Sequence, residues 1–353
     1  MSRILQFIRG RRSAPIVLNT PAVFDGSASV QSAFHNDLVP GCRVISQATV
    51  TQTVFDRTTM TYNGAVYDSA GALVFHSLRP ASPLYTYRPD IPISRNPEPA
   101  VDPLQFEQAI YGGHFFYAWG HFLIETLSTA ALANELPEVP VVFSPWEVTG
   151  QNEWTSRYER HVAPILSAAG WDRRQIIITT KPVLSKLLHV PQRLTAFGTA
   201  SPSIHPAISN VFNRIRSALG QEQGDKAVLV MRSEDHRRWH PSERAVYEAL
   251  ANQGVVAILP QNMTAEAQVR AISQAKTLIG FTGSVLHNSV FMGKETRVIE
   301  IGDQPERSVA DRIQSELCGI CGQDLVFVPG FEGMPRSANH LLSSILDASG
   351  LRQ

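Results

Sequence analysis

The stretch from Val256 to Ile301, VAILPQNMTAEAQVRAISQAKTLIGFTGSVLHNSVFMGKETRVIEI, constrains the fold of this chain more than any other. It opens inside a short apolar run, Val255 to Leu259, that Pro260 interrupts. Val269, Ile272 and Ala275 then recur at helical spacing between Thr264 and Lys276, with Thr264 as the N-cap. Thr277 to Phe281 reads as a strand running into Thr282-Gly283-Ser284. Ser284 to Met292 reads as a helix beneath that turn, and Arg297 to Ile301 as another strand. Strand, helix, strand, helix and strand in such short succession predict a parallel α/β sheet. Ligands of such sheets bind at the carboxyl ends of the strands. Gly280, Gly283, Ser284, Asn288 and Glu300 all fall at or near those ends.

The rest of the chain adds a second α/β block. Residues 13–105 carry short apolar runs separated by Gly, Asn and Pro, which predict a small meandering sheet. Seven prolines between 80 and 103 make that stretch an irregular extended connector. Order returns at Gln108. A helix is expected through Leu136, strands over Val139–Phe143 and Gln175–Thr179, and a helix from Trp154 to Ala169. Val183–Val190 fits either a strand or a short helix. FGTASPSIHP, at 197–206, reads as an active-site loop or the entry to a linker. A helix from His205 to Leu219 and a buried strand over Ala227–Met231 follow, then a helix from Ser242 with Pro241 at its start. Val309–Leu317 and Ala338–Leu346 read as the closing helices. The renewed α/β pattern after 205 predicts two Rossmann-like domains facing a cleft, with their boundary between about 195 and 225.

Composition limits what such a chain can do. It has 353 residues, 43% of them hydrophobic, enough for two ordinary cores. Lys plus Arg equals Asp plus Glu at 31 each, so no nucleic-acid footprint is present. A charged fraction of only 18% leaves room for a homo-oligomer or a membrane-associated surface. No run reaches the roughly 18 apolar residues of a membrane span. Arg3, Arg9, Arg11 and Arg12 surround Ile4, Leu5, Phe7 and Ile8. Two readings fit them: a peripheral helix on an acidic membrane face, or an ordinary basic terminus. Cys318 and Cys321 form a lone CxxC without a second pair. Reduced thiols in a cytoplasmic protein are the simpler expectation for it.

The glycine turn at 282–284, the preceding helix with Gln268 and the closing VIEI resemble family 61 glycosyltransferases of bacterial capsular and exopolysaccharide biosynthesis. GHFLIETL at 120–127 matches that family's other signature, a His beside an aromatic with an acid on the following helix. The resemblance implies a GT-B fold and inverting transfer from a nucleotide-sugar donor to a saccharide or lipid-linked saccharide acceptor. It implies an acceptor-side domain at 1–204, a donor domain at 205–335 and a final helix, 336–353, returning to the first domain. This chain departs from the family at Thr282, where a His is usual, and at Ser284, where Ala is usual. The departure removes a proton-carrying group from the donor side.

A nucleoside diphosphate leaving group needs cationic donors or helix N-termini around it. Arg232 follows a buried strand directly, and its planar guanidinium suits phosphate oxygens. Arg237 and Arg238 stand in the same loop; the alternative for them is a surface pairing with Glu234 and Asp235. Thr282, Gly283 and Ser284 offer backbone N–H groups to the same anion. Asn288 would bind the nucleotide or lock the turn, and Glu300 would accept from a ribose diol or be a solvated strand end. Inverting transfer also requires a base for the acceptor hydroxyl. His121 and Glu125 share a helical face four residues apart. His121 is the expected base with Glu125 orienting it, Glu125 being the alternative base and His114 a competitor of similar His-Phe context. No DxD motif stands in a suitable context, so transfer without metal or other cofactor is expected. A serine hydrolase built on Ser284 lacks the GxSxG elbow. A binding or scaffold protein of the same fold is the non-enzyme alternative.

Overall fold

The computed structural model describes residues 42–51, 54–56, 61–63, 66–74, 77, 102–134, 136–145, 158–171, 175–191, 194–197, 202–236, 238–304, 307–330 and 338–350. The arginine-rich terminus, residues 80–101 of the proline-rich connector and Arg237 lie outside these residues. So do 198–201 of the FGTASPSIHP loop and the start of the helix expected from Trp154. The chain divides into two compact units, Met1–Gln151 with Gly170–Ile208, and Asn152–Ala169 with Ser209–Gln353. Both are α/β, with parallel strands at their centres.

The first unit is built on a six-stranded sheet. Its strands are β1 (Cys42–Val50), β4 (Val66–Tyr67), β5 (Leu104–Phe115), β6 (Val141–Pro145), β7 (Ile176–Ile178) and β8 (Val183–Pro191). Their order is β4-β1-β8-β5-β6-β7. The four strands β8-β5-β6-β7 are mutually parallel, while β1 runs antiparallel to β8 and β4 antiparallel to β1. The expected separate meander therefore does not form from β1 and β4. β1 instead pairs with β8 from Cys42↔Pro191 to Val50↔Val183 and buries Ala48 and Val50 in the main core. Among the described residues of 13–105, β2 (Val54–Asp56) and β3 (Thr61–Asn63) form a ribbon of their own. Val183–Val190, ambiguous in sequence, is a strand because Val183, Leu188 and Val190 pack into that core. A small hairpin, β9 (Thr195–Phe197) with β10 (Pro202–Ile204), follows.

The chain runs β5, β6, β7 in one direction and then crosses to β8 on the other side of β5, so the strand order reverses at β5. β5 ends in Phe115 and leads to helix α1 (Trp119–Ile124). The helix expected to run unbroken to Leu136 changes character at Glu125 and continues as a 3-10 turn series, Thr126–Asn134. Thr126 explains the break. Its hydroxyl donates to His114 O and accepts from Phe116 N–H, both at 3.1 Å, which ties this segment to the end of β5. Thr129 adds a bond to Gly112 O at 2.9 Å. Beneath α1 lies a ring stack of Phe115, Phe122, Phe143 and Trp171, with centroids 5.3–6.0 Å apart.

The second unit carries β11 (Lys226–Val230), β12 (Val256–Ile258), β13 (Ala275–Phe281), β14 (Arg297–Ile301) and β15 (Asp324–Val328). They form one parallel sheet in the order β12-β11-β13-β14-β15. Strand order reverses between β11 and β13, where a doubly wound sheet opens its ligand crevice. Its helices are α2 (Ala163–Leu166), α3 (Ile208–Leu219), α4 (Ser242–Asn252), α5 (Ala265–Ser273), α6 (Arg312–Cys321) and α7 (Ala338–Ser349). Thr264 caps α5 by accepting from Ala267 N–H at 3.2 Å, as its sequence position suggests. Around α2, the segment expected as a plain helix is wound as π-turns, Tyr158–Val162 and Ser167–Trp171. The helix expected beneath the 282–284 turn is a six-residue 3-10 segment, Leu286–Phe291. The final helix, α7, packs on its own unit. Leu341 and Ile345 enter the core formed with β13, β14 and α4.

Candidate functional site

Two clusters of charged side chains stand at the carboxyl ends of the strands at which the order reverses, one in each unit. The first follows β5. Gly113 sits at φ 84°, where β5 shifts register against β6, a backbone conformation that a side chain would strain. Four residues past Phe115 the chain enters α1, which carries His121. His121 Nδ1 lies 2.6 Å from Glu125 Oε1. The imidazole side chain is 41% exposed, whereas that of Glu125 is 1% exposed. Phe116 backs the ring at a centroid distance of 5.5 Å. Glu125 is itself held at the helix break, where its carbonyl accepts from Ser128 Oγ at 2.6 Å.

The sequence pair is thus assembled with an asymmetry that sequence could not supply. The carboxylate is interior and the imidazole reaches the surface. A carboxylate on Nδ1 fixes the tautomer and leaves the acceptor lone pair on Nε2. His114, the competitor, lies on β5 with its side chain fully buried beside Tyr111 and Phe116.

The second cluster surrounds the β11–β13 switch point. Arg232 leaves β11 as expected but turns inward. Its Nη2 and Nε donate to the two oxygens of Glu243, at 3.0 and 3.3 Å. Its Nη1 donates to Asp303 Oδ2 at 3.2 Å, and its guanidinium carbon lies 5.1 Å from the centre of the Phe281 ring. With a side chain 4% exposed, it is an interior ion-pair centre rather than an open phosphate contact. Tyr247 donates to Glu243 at 2.7 Å; burial and the adjacent carboxylate push its phenol pKa upward. Arg238 reaches the same Asp303 oxygen, at 2.8 Å through Nη1, and keeps a side chain 32% exposed. Glu234 and Asp235, the sequence candidates for balancing these arginines, face Arg244 and Ser233 instead.

The glycine turn adjoins this cluster. Gly283 has φ 141°, and a Cβ there would lie 2.5 Å from Arg238 Nη2. The backbone favours glycine here, and a side chain would also displace the tip of Arg238. Thr282 and Glu300 do not present themselves as expected. Thr282 N–H donates to Ile301 O at 2.8 Å, and its hydroxyl donates to Glu300 Oε1 at 2.6 Å. Glu300 is fully buried, with both oxygens accepting from Asp311 N–H at 3.0 Å. Burial holds its pKa above the ordinary carboxylate value. It braces β14 against the N-terminus of α6 rather than offering itself to a ribose. Asn288 is buried, and its amide donates to Val285 O at 2.9 Å within the segment after the turn. Ser284 is exposed beside Gly283. Gln268 fastens α5 to the loop after β12 through Pro260 O at 2.8 Å.

Sequence reasoning missed Asp303 and Glu243, the carboxylates that organise the arginines. The signal for Asp303 was its position two residues past the strand Arg297–Ile301, at a carboxyl end. Glu243, at the start of α4, gave none. A cavity of about 780 Å3 lined by Arg216, Gln221, Gln223, Ser273 and Lys294 lies near the amino ends of β11, β13 and β14, away from this chemistry. Burial pushes the Cys318 thiol up to about 11 and Cys321 to about 12, so both stay protonated at neutral pH. Among the described residues no His, Cys, Asp and Glu side chains gather as a metal-ligand group, and no helix is long and apolar enough to cross a membrane.

A protein-family model described as Glycosyltransferase 61 matches residues 119–299, which include both clusters apart from Glu300 and Asp303. No curated protein matches the chain. Solved structures that resemble it do so distantly. The E. coli heptosyltransferase WaaC with ADP is 14% identical over 68% of this chain and 99% of its own, with a TM-score of 0.31. A flavodoxin-like domain from Synechococcus sp. is 13% identical over 35% of this chain and 94% of its own, with a TM-score of 0.27. The flavodiiron protein from Giardia intestinalis is 14% identical over 48% of this chain and 43% of its own, with a TM-score of 0.23.

Proposed function

The chain belongs to the Glycosyltransferase 61 family and is a glycosyltransferase, and from that premise we propose inverting, metal-independent transfer from a nucleotide sugar to a saccharide or lipid-linked saccharide hydroxyl. The observation that carries this reading is the His121–Glu125 pair, an exposed imidazole fixed at 2.6 Å by an interior carboxylate. His121 Nε2 takes the acceptor's hydroxyl proton. The acceptor oxygen bonds to the anomeric carbon as the bond from that carbon to the diphosphate oxygen breaks, and the diphosphate leaves with the electron pair. Glu125 stabilises the imidazolium that results. Its burial supports a positioning role over that of a base meeting the acceptor itself.

In this proposal the leaving charge falls to the second cluster. Arg238 is the diphosphate contact, supported by its exposure and its place over Gly283. Arg237 stands beside it in sequence, and Gly283 and Ser284 line the approach. Arg232 acts from inside by holding Asp303. We assign the acceptor to a domain at 1–204 and the donor to one at 205–335, as two Rossmann-like halves of a GT-B enzyme. The parallel strands at the centre of each unit's sheet support that assignment. A cytoplasmic location with peripheral contact to the membrane through the basic N-terminus completes the proposal.

The test is turnover with a panel of nucleotide sugars and oligosaccharide acceptors, with the anomeric configuration of the product read by NMR. Transfer with inversion is expected. Retention would overturn the single displacement, and hydrolysis without transfer to any acceptor would overturn the acceptor role.

A further inference from the structure

Asp303 has no counterpart among the sequence candidates, yet it joins the only two described arginines of the switch-point loop. Its side chain is 1% exposed, and one oxygen, Oδ2, receives both Arg232 Nη1 at 3.2 Å and Arg238 Nη1 at 2.8 Å. Its other oxygen, Oδ1, is buried and accepts no hydrogen bond among the described residues. Arg232 is itself held by two bonds to Glu243. The contacts run from Glu243 to Arg232 to Asp303 to Arg238, from the interior to the surface. At its outer end the Arg238 guanidinium occupies the space in which a Cβ on Gly283 would sit.

We propose that Asp303 is a positioning residue for donor binding: it holds Arg238 over Gly283 before the diphosphate arrives. The inference rests on the reading of Arg238 as the diphosphate contact. An arginine side chain loses much rotamer freedom when it is immobilised, and a ligand that must order it binds correspondingly more weakly. Asp303 supplies that order in the empty protein. Its negative charge also opposes an incoming anion, so two effects of opposite sign compete. Asparagine at this position keeps an oxygen for Arg238 and removes the charge; alanine removes both. The two substitutions therefore separate order from charge.

The experiment is calorimetry on the full chain with uridine, guanosine, adenosine and cytidine 5′-diphosphates and with the matching nucleosides. It uses the parent, Asp303→Ala, Asp303→Asn, Arg238→Ala and the Asp303→Ala/Arg238→Ala double variant. Asp303→Ala is expected to weaken diphosphate binding roughly three- to tenfold, the value of one preordered long side chain. It should leave nucleoside binding unchanged, which also reports that the domain is folded. Asp303→Asn should recover most of the loss. In the double variant the Asp303 change should add nothing to the Arg238 change, because the two act through one contact. Tighter diphosphate binding in both Asp303 variants would overturn the proposal and make the residue an electrostatic counterweight. Additive losses, or equal losses for nucleoside and diphosphate, would overturn it in favour of a purely structural role. If Arg238→Ala leaves diphosphate affinity unchanged, or the parent binds no nucleoside diphosphate, the donor-site reading itself fails and the inference falls with it. A loss in Arg238→Ala without one in Asp303→Ala removes only the inference.

Discussion

The two charged clusters occupy equivalent places in their sheets, yet they are built in opposite ways. At the end of β5 the acid is interior and the base faces outward, so one buried carboxylate supports one half-exposed imidazole. At the end of β11 the strand delivers an arginine that turns inward onto two carboxylates, and exposure passes to Arg238, six residues on. The difference shows that a residue type at a strand's carboxyl end does not decide which side chain faces outward. That choice depends on which charges have interior partners. In the first unit Glu125 has the interior place, because the Thr126 and Ser128 hydroxyls fix the break in the helix there. In the second, Glu243 and Asp303 take Arg232.

The comparison breaks first, and by the largest effect, at Arg232. Arg232→Ala leaves Glu243 and Asp303 without their shared cation inside the unit. Loss of one member of such a buried network costs about 3–5 kcal/mol. Denaturant unfolding should show that loss, with diphosphate affinity falling only as the folded fraction falls. A fully stable Arg232→Ala protein with impaired diphosphate binding would instead restore Arg232 as a direct phosphate ligand.

A smaller effect is expected at Glu300, the interior acid beside the glycine turn. Its pKa is raised chiefly by burial, so the folded state holds its proton more tightly than the unfolded chain does. The stability it contributes is therefore fully present below the ordinary carboxylate range and lost as pH rises through the raised folded value. This is the reverse of a salt-bridged carboxylate. Unfolding midpoints of the parent and Glu300→Gln across that range should diverge in the mutant's favour as pH rises. A gap that stays constant with pH would show that Glu300 titrates alike in both states.

Much of this arrangement was legible in the sequence. The strand Arg297–Ile301 and the helix beginning at Ser242 have the bounds their periodicity predicts. The four-residue spacing of His121 and Glu125 did bring the pair together. What was not legible depends on long-range packing. β1 lies beside β8 across more than 130 residues of chain, so local alternation could not show that it extends the central sheet. The 3-10 geometry after Glu125 comes from threonine bonds back to β5, and the hydropathy of the segment still reads as helix. Arg232 was read as a phosphate ligand because its acidic partners, Glu243 and Asp303, lie 11 and 71 residues away. Thr282 and Glu300 were read as separate ligand contacts, whereas their side chains bond each other.

The central claim is that the first cluster performs the chemistry while the second holds the donor. It is tested most directly by measuring turnover, diphosphate affinity and thermal midpoint on one preparation of His121→Ala. The account predicts turnover lower by about 10²–10⁴, the usual effect of a positioned base. Diphosphate affinity should remain at the parental value, because in this account the imidazole acts on the other substrate, while the thermal midpoint should fall only by the loss of one hydrogen bond to the buried Glu125 carboxylate. Near-parental turnover in folded His121→Ala protein would contradict the account.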